Sequence, residues 1–237
     1  MQKDNTNRYW IISGLYAFLE KGGNFLFSFG SVLILYRSLP ESEMGIWILF
    51  LTVCALLEVT RMGLVQNALV KFLSAEKETE HGLINTASLF LNIALTVSFS
   101  GLLYLCAPVC ADIWESPSII PLLHVYVLTT LVLTPMYQSN FILQANLSFR
   151  GIFLSNTIRQ GSFFLFLLYL YVTNASIELL QLAQFQVFTA FMGSLTAVYY
   201  AKPYLHFVKQ VDWQWVKKLV DFGKYALSTN LSFMLYK

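Results

Sequence analysis

Residues 45–70 read GIWILFLTVCALLEVTRMGLVQNALV, an apolar run in which Glu58 and Arg61 are the only charged side chains. The hydrocarbon core of a bilayer takes about 20 apolar residues of α-helix, so this run reads as a membrane span. Strands of a closed barrel would alternate apolar and polar residues over about ten positions, and this run does not alternate. Segments 9–36, 83–108, 119–146, 152–173 and 178–201 repeat the pattern, and a seventh begins near Tyr225 and is cut off at Lys237. The sequence predicts an all-α polytopic membrane helix bundle of six complete transmembrane helices plus the start of a seventh. Its expected organisation is a bundle over 1–201, a cytoplasmic linker over 202–224 and the opening of the seventh span over 225–237.

Composition agrees with that class. Of 237 residues, 57% are hydrophobic and 12% charged, against roughly a quarter charged in soluble domains. A soluble surface could not cover so much apolar side chain, whereas lipid accepts it. The net charge of +2 gives no basic, aromatic-interleaved surface, so no nucleic-acid partner is expected. Cys54, Cys106 and Cys110 sit in or beside apolar stretches and read as small apolar fillers. The first apolar stretch is too long for a cleaved signal peptide and contains Glu20 and Lys21, so it is expected to remain as a span.

Loop charges set the expected orientation. With the N-terminus cytoplasmic, the inner segments hold Lys3, Arg8, Lys71, Lys77, Arg150, Lys202, Lys209, Lys217 and Lys218, and the outer loops hold only Arg37. In the linker, a helical projection from Asp212 to Lys224 puts Trp215, Val216, Leu219, Val220 and Phe222 on one side. Lys217, Lys218, Asp221 and Lys224 fall on the other. This predicts an amphipathic interfacial helix with Trp213 and Trp215 at headgroup depth.

Charges inside spans are costly unless they face protein or water, so each marks a candidate site. The first span holds Glu20 and Lys21, the second Glu58 and Arg61, the fifth Arg159. At about 1.5 Å of rise per residue, Glu20 lies roughly 16 Å in from the cytoplasmic side and Glu58 roughly 20 Å in from the other. Both therefore approach the midplane of a core about 30 Å thick and could meet. Ser13, Tyr16, Glu20, Asn24, Ser28 and Ser31 share one face of the first helix. Gly22-Gly23 beside them would permit a bend or a close backbone approach. Glu58 and Arg61 are positioned to pair, with Gln66 continuing the Glu58 side. Tyr137, Asn140, Gln144 and Ser148 form a polar face on the fourth span; Ser155 and Arg159 lie one turn apart on the fifth; Gln181 and Gln184 share a face on the sixth. Polar groups of this kind also bond helix to helix without touching any substrate.

A catalytic reading finds little. His81, His124 and His206 are scattered, and no nucleophile triad, metal-ligand spacing or phosphate loop emerges. The expectation is a non-enzyme with neither cofactor nor metal.

The order of short motifs resembles polysaccharide (O-antigen type) flippases of the multidrug/oligosaccharidyl-lipid/polysaccharide exporter superfamily. Arg37-Ser38-Leu39-Pro40-Glu41-Ser42-Glu43-Met44-Gly45 looks like that family's outer turn, a Leu-Gly-Pro-acidic-acidic-Tyr-Gly run. It departs from it in lacking Gly between Leu39 and Pro40 and in carrying Met44 for Tyr. Met62-Gly63-Leu64, Ala107-Pro108, the run from Leu143 to Arg150 and the amphipathic linker are similar to the family pattern as well. The resemblance implies two six-helix halves around a central cavity, of which this chain supplies the N-terminal half. It further implies alternating access about a site near the midplane. The substrate would be an undecaprenyl-pyrophosphate-linked saccharide, carried across a bacterial inner membrane for surface polysaccharide or lipopolysaccharide. Membrane lipids and polysaccharide polymerase or assembly proteins would be its other partners. By that logic Lys21, Arg61 and Arg159 are the expected anion contacts, with Asn24, Asn140 and Gln144 as further substrate-binding residues. Glu20 and Glu58 would pair with the cations or couple ions. The competing readings are a cation-coupled multidrug exporter of the same superfamily and a polytopic membrane transferase.

Overall fold

A computed structural model describes the backbone of residues 2–235, and side chains from residue 12 to 229 and at 232. Side chains of Lys3 and Arg8, used in the inner-charge count, and residues 236–237 of the expected seventh segment lie outside the described residues. The described chain forms seven helical rods and no strand. They are α1 (Gln2–Ser38), α2 (Glu41–Ala75), α3 (Glu78–Ile113), α4 (Ile119–Ala145), α5 (Phe149–Val172), α6 (Leu179–Ala201) and α7 (Trp213–Leu235). A single wide π-turn, Met62–Gln66, sits inside α2.

Helix ends follow local chemistry. Pro40 disfavours helix at Leu39, so α1 stops at Ser38 and α2 starts with Glu41 and Glu43 in its first turn, where the helix dipole favours acid. The ends of α3, α4 and α5 share one device. Glu115, Leu147 and Asn174 each take a left-handed φ, of 49°, 55° and 52°. In each turn the following amide then reaches back to the helix: Ser116 to Ala111, Ser148 to Leu143, Ala175 to Leu170. These are Schellman closures built without glycine. Asp212 caps α7, its carboxylate accepting from the Gln214 amide at 2.7 Å.

α2, α3 and α4 are long and apolar enough to cross a membrane. The sequence predicts six such spans, and α1, α5 and α6 fall short of that measure. The shortfall has a physical cause: α1 carries Glu20, Lys21 and Asn24, α5 carries Asn156, Arg159 and Gln160, and α6 carries Gln181, Gln184 and Gln186. The outward faces are nonetheless apolar, with Phe18, Phe25, Leu26, Phe29 and Tyr36 exposed on α1 and Leu105 and Ile113 on α3. Apolar surface on that scale belongs in lipid, and the chain is a membrane protein.

α4 is the central rod, packed against α3, α6, α5 and the C-terminal part of α2; α1 lies almost wholly along α5, and α5 along α6. Two glycines permit close approaches around α5: a Cβ at Gly30 would strike the Phe164 ring, and one at Gly193 would stand 3.0 Å from Arg159 Cβ and 3.1 Å from the Ser155 carbonyl. Gly22-Gly23 does not serve packing, because a Cβ at Gly22 would meet nothing within 4 Å and one at Gly23 only the Phe27 ring at 3.9 Å.

The apolar core is divided along the helix axes. One cluster, around Leu35, Trp47, Phe50, Leu123 and Leu167, fills the end near the Pro40 turn. The other, around Val65, Leu69, Met136, Phe141 and Leu219, fills the end near the Lys77 turn. Polar side chains occupy the level between them.

α7 runs without a break through the boundary expected at residue 225. Its apolar side docks on α2 and α3, with Trp215, Val216 and Leu219 buried. Both tryptophans are expected at headgroup depth, but they part company. Trp213 is 66% exposed and Trp215 only 4%. Phe72 meets Trp215 edge-on at 5.6 Å, and the Trp215 indole N–H donates to Glu80 at 3.2 Å. Partners on two other helices thus bury a ring that α7's own sequence left free.

Candidate functional site

The polar face of α1 packs on α5. Glu20, 6% exposed, accepts from Asn24 at 2.6 Å and from Asn156 at 3.0 Å on one oxygen. Its other oxygen pairs with Lys21 at 3.2 Å, and that lysine is 83% exposed on its side chain. Ser28 donates to Gln160 at 3.0 Å, and Tyr16 meets Phe153 ring to ring. The stripe read along α1 is therefore the seam between α1 and α5, with a buried carboxylate at its centre.

Beside that seam lie two cavities. One, of about 300 Å³, is lined by Glu20, Lys21 and Asn24 of α1, Glu58, Met62 and Gln66 of α2, and Tyr137, Asn140 and Gln144 of α4. Asn156, Arg159 and Gln160 of α5, with the apolar Ala17, Phe141, Phe149 and Ile152, complete its wall. The other, of about 350 Å³, lies toward the Pro40 turn and is walled by Ser28, Ser31, Trp47, Tyr126, Phe163 and Gln186 among others. Glu58, Arg159 and Gln160 line both. They form a polar septum between a chamber of mixed lining and a more apolar, aromatic one. Ligand pockets usually hold roughly 300–1,000 Å³, so each chamber is at the lower end of that range.

The members of the septum are held differently. Glu58 accepts from the Tyr126 hydroxyl at 3.0 Å, which ties it to α4. Gln160 is engaged by Ser28. Arg159 has no hydrogen bond or ion pair among the described residues, and its Nε is buried without a partner. A guanidinium in that condition keeps its fork free for an anion, and leaving it empty is costly. Gln66 and Gln144 join α2 to α4 at 2.8 Å, while Asn140 accepts from buried Ser155 at 3.1 Å.

Seven of the eight site residues expected from the sequence, Glu20, Lys21, Asn24, Glu58, Asn140, Gln144 and Arg159, line the first chamber. Glu20 and Glu58 share its wall but pair with different partners, Glu20 with Lys21 and two amides, Glu58 with Tyr126. Arg61 is the one placed elsewhere. It is 3% exposed and turned toward α3 and α4, donating to Thr96 at 3.2 Å and Thr134 at 3.3 Å. Its guanidinium also stacks over the Tyr137 ring at 4.4 Å. The expected Glu58–Arg61 ion pair is absent from the ion pairs among the described residues. One turn of helix separates them, but each finds partners on its own side.

Arg61 caps a polar seam that the sequence reading passed over. Ser88, Asn92, Thr96 and Ser100 recur every fourth residue on α3, and all are buried. They meet Gln138, Thr134 and Thr130 of α4: Gln138 donates to Ser88 at 2.7 Å and Asn92 to Gln138 at 3.3 Å. Thr96 and Thr134 lie 2.9 Å apart, Ser100 and Thr130 3.0 Å. The spacing of four was the available signal. Asn156 and Gln160 were missed too, although they flank Arg159 on one face of α5. On α6, Gln181 and Gln184 are exposed, and Gln186 is the glutamine that reaches the second chamber.

A family model described as polysaccharide biosynthesis protein matches residues 34–237. No curated protein and no solved structure matches the chain. The family match spans every helix from the end of α1 onward, and the chain belongs to that polysaccharide biosynthesis family.

Proposed function

We propose that this member of the polysaccharide biosynthesis family is a flippase that translocates a lipid-linked saccharide across a bacterial inner membrane by alternating access. In this reading α1 to α6 all cross the bilayer and the N-terminus is cytoplasmic. The substrate is an undecaprenyl-pyrophosphate-linked repeat unit destined for surface polysaccharide, and chemistry on it is left to other enzymes.

The observation that carries the reading is Arg159. It is a guanidinium without a hydrogen bond or ion pair among the described residues, at the septum common to two chambers, whereas the buried Arg61 donates to two threonines and stacks on a tyrosine ring. Arginine matches phosphate oxygens with a planar fork, and a low-dielectric surrounding strengthens that attraction. Lys21, exposed beside Glu20 on the same wall, adds a second cation with donors to spare. Asn24, Asn140, Asn156 and Gln144 offer the amide donors and acceptors that hydroxyl-rich sugars require. The aromatic walls of the second chamber, Trp47 and Phe163 stacked at 6.5 Å, suit the apolar faces of sugar rings or a prenyl chain.

The test is Arg159→Ala in the intact protein. Surface polysaccharide should disappear while the protein remains in the membrane at its usual amount, and Arg159→Lys should restore only part of it. Normal surface polysaccharide from Arg159→Ala would overturn the assignment.

A further inference from the structure

The π-turn of α2 sits where the chamber wall needs it. In an unbroken α-helix, Gln66 would stand about 80° round from Glu58, eight residues at about 100° each. A π-turn takes in one extra residue, so the helix falls back by about 100° and Gln66 returns to within about 20° of Glu58. Glu58, Met62 and Gln66 accordingly line the same chamber, and Gln66 reaches Gln144 across it. Val65, which an unbroken helix would turn to that face, is instead 0% exposed in the core.

α7 is seated on this turn. Gly223 packs against the Leu64 backbone so closely that a Cβ there would collide with the Leu64 carbonyl oxygen and stand 2.9 Å from its carbon. Phe72 is gripped between Trp215 and Phe222, and Lys71 lies 4.0 Å over the Phe222 ring, so the contact continues along both helices. A wide turn is a strained form of helix that persists where its surroundings hold it.

We propose that α7 is a positioning element for the chamber: Gly223, seated on the Leu64 carbonyl, keeps α2 in the π-register that aligns Glu58, Met62 and Gln66. The shape of this wall does not depend on which molecule the chamber carries.

Single cysteines at position 65 or 66, in protein whose Cys54, Cys106 and Cys110 are replaced by alanine, report the register. The probe is a charged, water-soluble methanethiosulfonate applied to membranes. In the parent, the cysteine at 66 should react and the one at 65 should be protected. Gly223→Leu should reverse this, with loss of reaction at 66 and gain at 65; Gly223→Ala serves if the leucine variant does not accumulate. Deleting Gly63 removes the extra residue, so the residue now numbered 66 should stay reactive, and Gly223→Leu on that background should no longer shift the labelling. Reaction persisting at 66 in the Gly223 variants, or lost on deletion of Gly63, would overturn the proposal.

Discussion

Arg61 and Arg159 lie on either side of Tyr137's helix in the same polar layer, and they have opposite surroundings. Arg61 is closed in: two threonine hydroxyls accept from it and the Tyr137 ring covers its plane. Arg159 borders two chambers and has a buried Nε with nothing to meet. One seam of the bundle is closely hydrogen-bonded, with only the Asn92 Oδ1 left over among its described side chains; the other opens on the two chambers. Saturated polar contacts hold helices together, whereas an unsatisfied cation at a cavity wall is held ready for something that arrives.

Mutation can break that contrast. The largest effect expected is functional: Arg159→Met removes surface polysaccharide and leaves the melting temperature of the purified protein unchanged or higher, because an uncompensated charge has been replaced by packing. Arg61→Ala should do the reverse. It loses hydrogen bonds from a charged donor, about 1.5–3 kcal/mol, seen as a lower melting temperature, while surface polysaccharide falls only in step with the protein present. If the two variants lost stability equally, the contrast between the seams would fail. Within the α3–α4 seam, Gln138→Leu cuts links to both Ser88 and Asn92 and should cost about 1 kcal/mol in the same melt. The smallest effect belongs to Ser28→Ala, whose bond to Gln160 is exposed; interhelical bonds in membranes average about 0.6 kcal/mol, and a clearly larger loss would mean that the α1–α5 seam is bonded as firmly as the α3–α4 one.

Much of the scaffold was legible because hydropathy and helix length are local properties. The segment expected over 178–201 is α6, Leu179–Ala201, and the one over 119–146 is α4, Ile119–Ala145. The stripe on α1 was legible for the same reason, since spacings of three and four fix a face without knowledge of any partner. What lay outside local reach were the partners. Arg61 is satisfied by Thr96 and Thr134, at sequence separations of 35 and 73. No projection of α2 alone tells a lumen-facing arginine from one facing a seam. The burial of Trp215 was out of reach likewise, because Phe72 and Glu80 cover it from other helices. The turns after α3, α4 and α5 gave no glycine signal, since Glu115, Leu147 and Asn174 adopt the left-handed conformation themselves. The π-turn was invisible because the sequence around Gly63 fits an ordinary helix until α7 is laid against it.

Gly22 and Gly23 sit directly after the buried Glu20 and its lysine, and neither is crowded. Steric need does not explain them, so what they change is the compliance of a long strut held along one side. Each glycine weakens a helix interior by about 1 kcal/mol relative to alanine. α1 is therefore softest where its charge is buried, a flexure point whose stiffness could be tuned by Gly22→Ala without moving a single contact.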